Sequence, residues 1–157
     1  MNNTRIPMSY REKSAWATLL VMLVVYVPYF INVAGMFRRG QVTGGALLGA
    51  FMGAVGFQIA LSIAVAIALA ILTREERPDE RDRAIEARSY CYAYNTLVAG
   101  PFVLIPGLFA LMTGMDPTAL PQMFTIGFLS QALLLCLVSS ETVRFVTQII
   151  GYRKGSL

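Results

Sequence analysis

The sequence predicts an all-α integral membrane protein: a four-helix bundle with both termini cytoplasmic and a charged cytoplasmic helix between the second and third spans. Three observations predict it. Four apolar stretches are each long enough to cross a bilayer, which takes about 20 residues of helix. Apolar and polar residues do not alternate along them, which argues against a membrane β-barrel. Charged residues are only 14% of the 157, and they crowd into the chain ends and one central stretch, REERPDERDRAIEARSY, Arg74 to Tyr90. With 56% hydrophobic residues and a mean hydropathy of +0.60, the chain carries more apolar surface than a soluble domain of this size could bury. Its length fits one transmembrane domain over residues 1–157.

The first span covers about residues 15–37 and contains Pro28. It exceeds the roughly 7–15 apolar residues of a signal peptide, so it reads as an uncleaved anchor. The second covers about 44–72 and carries Gly45, Gly49, Gly53, Gly56, Ala60, Ala64 and Ala68 on one helical face. Lipid tails supply no hydrophobic force between helices, so such a small-residue stripe marks close backbone approach. Packing within the chain is the expected use, and a homo-oligomer seam is the alternative. The third span covers about 92–112 and contains Pro101 and Pro106. Each proline removes a backbone donor and bends its helix. The fourth covers about 122–143, with a mildly amphipathic tail to Tyr152.

Orientation follows from Lys and Arg counts in short flanking segments. Eleven lie in the N-terminal segment, the connector (74–90) and the C-terminal tail, against only Arg38 and Arg39 on the other side. Both termini and the connector are therefore expected in the cytoplasm. The basic excess, a net charge of +4, is then explained by the membrane surface and calls for no nucleic acid.

The chain has no His, so a Ser-His or Cys-His nucleophile and a His-bearing zinc site are excluded. Cys91 and Cys136 have no metal-ligand spacing and read as buried small hydrophobes. Within the spans, Glu141 is the one carboxylate, three residues before Arg144, and reads as an interfacial ion pair. Gln58, Ser62, Asn95, Gln131, Ser139 and Ser140 could bond across helices, and Asn95, Gln131 and Glu141 could instead line a polar path. Tyr26, Tyr29 and Asn32 form a polar group in the first span.

On the connector, Pro78 suits a first helical turn, and Asp79, Glu80 and Asp82 complement the positive end of the helix dipole. A helix from Pro78 should run into the third span, with Ile85 and Tyr92 leaning on the bundle. Asp79, Asp82 and Glu86 then share a face and could bind magnesium or calcium through oxygen. Arg83 stands among them and can neutralise them. CDP-alcohol phosphotransferases also begin with DxxD, but here Arg83 stands where their glycine should be. No acidic residue lies between Glu86 and Asp116 to supply a second motif. No metal and no cofactor are therefore expected, with Asp79, Asp82 and Glu86 as the weak alternative. The balanced charge of the connector instead suggests a solvated helix and a docking surface formed by Asp79, Glu80, Arg81, Asp82, Arg83, Glu86 and Arg88.

SYREKSAW at Ser9 to Trp16, DERDRAIEAR at Asp79 to Arg88 and GYRKG at Gly151 to Gly155 resemble the REKxAW, DERDxxI and YRxG elements of a family of small four-span bacterial inner-membrane proteins of unknown function. Each element is short, but the resemblance extends over nearly the whole chain, from Ser9 to Gly155. The resemblance implies a prokaryotic plasma-membrane location and a four-helix fold, and transfers no reaction or catalytic residue. The expected function is a non-enzymatic membrane protein acting through partners. The alternatives are a subunit of a small oligomeric transporter or channel, then a lipid-modifying enzyme.

Overall fold

The computed structural model describes residues 8–73, 79–113 and 126–154. They form four helices: α1 (Tyr10–Arg38), α2 (Gly44–Leu72), α3 (Glu80–Thr113) and α4 (Ile126–Lys154), with no strand among the described residues. The expected positions at Arg74 to Pro78, and the loop and start of the fourth span up to residue 125, lie outside them.

Each helix start has a local cause. Ser9 caps α1 by accepting the Glu12 N–H at 3.2 Å, and Thr43 caps α2 by accepting the Ala46 N–H at 3.2 Å. α1 ends where Gly40 takes φ +64, a conformation that costs glycine nothing. The Gly40 N–H then reaches the Phe37 carbonyl and the Gln41 N–H that of Met36, a Schellman closure. α1 continues through Pro28, and α3 through Pro101 and Pro106, as unbroken helices. From Glu80 on, the charged connector and the expected third span are one helix of 34 residues.

α1, α2 and α4 are long and apolar enough to cross a membrane. The main packing contacts run in the order α2, α1, α4, α3. The core therefore sits on α1, where Met22, Tyr26, Tyr29 and Val33 pack with Leu47 of α2 and with Leu134 and Val138 of α4. A second cluster joins Ala15 and Leu19 to Ile149 near the charged end. Leu20, Val24 and Ile31 of α1, Ile59, Ile63 and Ile67 of α2, and Leu133 and Leu137 of α4 face outward. Outward apolar rows of that length suit hydrocarbon.

The tight helix pair is α3 on α4. Ser89, Ala93 and Gly100 of α3 meet Gln148, Ser140 and Cys136 of α4 along one line. A Cβ added at Gly100 would lie 2.7 Å from the Cys136 Sγ, and one at Gly151 would lie 2.8 Å from Ile85 Cγ2. By contrast, the glycine stripe of α2 meets no other helix among the described residues, unlike the expected intramolecular packing. A Cβ at Gly45, Gly49, Gly53 or Gly56 would meet nothing within 4 Å, and Ala60, Ala64 and Ala68 are exposed. α2 instead turns Leu47, Phe51, Ala54 and Gln58 toward α1. Those side chains bury apolar area against α1, which the smooth stripe cannot do.

Candidate functional site

Three charged segments, distant in sequence, meet at one end of the bundle: the start of α1, the start of α3 and the last turns of α4. Asp79 and Asp82 first act on each other. The Asp79 N–H donates to Asp82 Oδ2 at 3.2 Å, and the Asp82 N–H donates to Asp79 Oδ1 at 2.6 Å. This reciprocal cap satisfies two donors that a helix start would otherwise leave open. Asp82 Oδ2 also lies 3.3 Å from Arg11 Nε of α1. That nitrogen is buried without an aligned acceptor, so the contact is one of charge rather than a hydrogen bond. Arg81 donates to the Tyr152 carbonyl at 3.4 Å, placing a cation at the negative end of α4. The Tyr152 side chain lies near Arg11, Asp82 and Glu86.

Glu12 is the buried carboxylate of this end, 7% exposed, and it accepts from Arg153 Nε at 3.0 Å. Its partner is asymmetric: the Arg153 side chain is 61% exposed, and its guanidinium lies 5.8 Å from the Trp16 ring centre. One turn inward, fully buried Ser89 donates to the Glu86 carbonyl at 2.7 Å and accepts from Gln148 Nε2 at 3.1 Å. Ser140 donates to the Ala93 carbonyl at 2.8 Å. Arg144 pairs with Glu141 at 2.8 Å, as the spacing predicts, and stacks over Tyr90 of α3 at 4.4 Å.

The expected docking residues therefore divide. Asp79, Arg81 and Asp82 hold the end together, and half-buried Glu86 faces Tyr152. Glu80, Arg83 and Arg88 are exposed, with no side-chain partner among the described residues. Ile85 is buried as expected, whereas Tyr92 points outward. Among the described residues, no three His, Cys, Asp or Glu side chains group closely enough to hold a metal ion, Asp79, Asp82 and Glu86 included.

The polar-path residues are not joined by contacts among the described residues. Asn95 lies on the exposed face of α3, Glu141 is taken by Arg144, and Gln131 accepts from the Tyr29 hydroxyl at 2.6 Å. Gln58 accepts from the Tyr26 hydroxyl at 2.6 Å. The two tyrosines stand edge to face at 6.3 Å, so α1 is tied by one phenol to each neighbour. Asn32 is exposed and stands apart from them. Cys136 is buried as expected, but Cys91 is exposed.

No local pattern gives the roles of Glu12, Gln148 and Gly151, although Glu12 and Gly151 stand in the SYREKSAW and GYRKG elements. Ser89, Ala93 and Gly100 do carry a signal, small residues on one face of α3, but larger neighbours and a nearby charge cluster obscure it. Comparison with protein-family models, with curated proteins and with solved structures gives no match.

Proposed function

We propose that the chain is a non-enzymatic, multi-pass protein of a prokaryotic plasma (inner) membrane that acts through a protein partner, as a scaffold, sensor or regulator. In this reading the apolar part of α3 is the third of four spans, and both termini and the start of α3 face the cytoplasm, where the Lys and Arg excess favours them. The resemblance of its three charged segments to small four-span inner-membrane proteins supports the same location.

The observation that carries the reading is the division of labour on α3. Its first turn, capped by Asp79, is fastened to α1 by Asp82 and to α4 by Arg81, which gives the helix a set position. Glu80, Arg83 and Arg88 are left exposed and unspent. A rigid helix presenting charges it does not need for its own packing suits recognition, because electrostatic complementarity sets specificity and encounter rate.

A photo-crosslinking residue placed at Arg83 or Arg88 in cells tests this. A discrete crosslinked species is expected, absent from a control at Phe102, and lost on reversing Glu80 and the other arginine. Thermal stability should change by no more than about 0.5 kcal/mol, as for exposed positions generally. Labelling that is equal at all three positions, or unmoved by charge reversal, overturns the reading.

A second reading, a subunit of a small oligomeric transporter or channel, is favoured by the open space over the α2 glycine face.

A further inference from the structure

We infer that the gap between α2 and α4 is a binding site for a lipid-soluble molecule bearing a carbonyl acceptor, held by the amide of Gln131. The cavity is about 590 Å³, and its walls include Leu47, Leu48 and Phe51 of α2 and Leu134, Leu137 and Gln131 of α4. That volume lies within the range of small-molecule sites, and the lining has their usual make-up, apolar walls with very few polar groups. A second cavity of about 280 Å³ lies between α1 and α4, among Phe30, Val33, Phe37 and Leu135, and Gln131 borders it too.

The occupant follows from the hydrogen-bond inventory. A glutamine amide offers one carbonyl oxygen and an NH2 group with two donors. The Gln131 oxygen is taken by the Tyr29 hydroxyl at 2.6 Å. With the oxygen taken by Tyr29, the NH2 is the end of the amide left over, and it makes no hydrogen bond among the described residues. Gln131 lies about 15 Å along α4 from the Glu141–Arg144 ion pair, half the thickness of a hydrocarbon core. At that depth water is scarce, and a bare donor is costly. The complement is an uncharged acceptor on an apolar body. A cation is disfavoured by the NH2 group, and an anion by burial without a counter-charge. Tyr29 acts as a positioning residue, because its hydroxyl orients the amide without lining either cavity.

The test uses the full chain in lipid nanodiscs and a decyl-tailed azidobenzoquinone as photolabel. Label is expected on the peptides containing Leu47–Phe51 and Gln131–Leu137. Decyl-benzoquinone should compete about tenfold better than decylbenzene, the ratio expected for one hydrogen bond in a membrane. Gln131→Leu should remove that ratio while the decyl tail still competes. Leu134→Trp should block labelling by filling the cavity. Circular dichroism and nanodisc incorporation report whether either variant still folds. If a short-chain diacylglycerol competes as well as the quinone, the natural source is a lipid ester carbonyl; if it does not, the source is quinone-like. Labelling elsewhere, equal competition by decylbenzene, or an unchanged ratio in Gln131→Leu overturns the site. None of these outcomes depends on the charged end, so this inference stands or falls apart from the docking proposal.

Discussion

Two helix faces in this molecule carry small residues at helical spacing, and they have opposite fates. On α3, Ser89, Ala93 and Gly100 lie against α4 so closely that a single added carbon at Gly100 would overlap Cys136. On α2, four glycines and the alanines that follow them face open space. The α2 stripe is the longer and more regular of the two. Spacing thus records that a backbone can be approached closely, not that its own chain does so. What distinguishes the α3–α4 seam is its polar inventory: Ser89 of α3 accepts from Gln148, and Ser140 of α4 donates to the Ala93 carbonyl. Small residues admit the neighbour, and hydrogen bonds give it a reason to stay where lipid offers none.

The largest effect is expected at Gly100. Gly100→Leu must separate α3 from α4 and should cost about 3 kcal/mol, the upper end for overpacking. Reversible unfolding in mixed micelles measures it. Gly100→Ala should cost less, and Cys136→Ala should recover part of that loss by removing the Sγ at 2.7 Å. Strict additivity of the two changes would mean that the contact is not close and the contrast with α2 is lost.

Ser89→Ala should come next. It strands the Gln148 amide in a buried place and should cost about 1–2 kcal/mol. The same unfolding assay on Ser89→Ala/Gln148→Leu should recover much of it, since removing both partners leaves no orphan. A neutral Ser89→Ala would show that packing alone holds the seam.

The smallest effect on the folded chain is expected on α2. Gly53→Leu enters open space and should change unfolding by less than about 0.5 kcal/mol. Energy transfer between labelled copies in liposomes gives the sharper reading. Loss of transfer in Gly53→Leu, with stability unchanged, makes the stripe a seam between copies. Transfer equal to the parent chain's would leave it a lipid-facing surface.

Much of the architecture was legible because it follows from composition along a line. The helices follow the apolar runs and end at charge, Gly40 and the caps. The Glu141–Arg144 pair needed only its three-residue spacing. The charged end was legible as a place but not as a mechanism. Asp79, Asp82 and Glu86 share a face in projection, yet Asp79 and Asp82 serve each other's backbone and Arg11. Nothing local announces that Glu12 will be buried by Arg153, because the two are brought together only when α1 and α4 lie side by side. Gln131 was visible as a polar residue in an apolar run. Its bond to Tyr29, which takes the oxygen of the amide, was not.

The sequence by itself determined what each segment is. Apolar length, proline and glycine placement and capping side chains act through neighbours in the chain, and the bilayer's thickness converts them into helices of a given extent. The tertiary structure alone decided which faces meet: α1 at the centre, α3 on α4, the α2 stripe turned outward. Hydrocarbon rewards every apolar face about equally, so helix choice rests on a few polar bonds and close fits between residues far apart in sequence. Those are properties of pairs of surfaces, and no single stretch of the chain contains them.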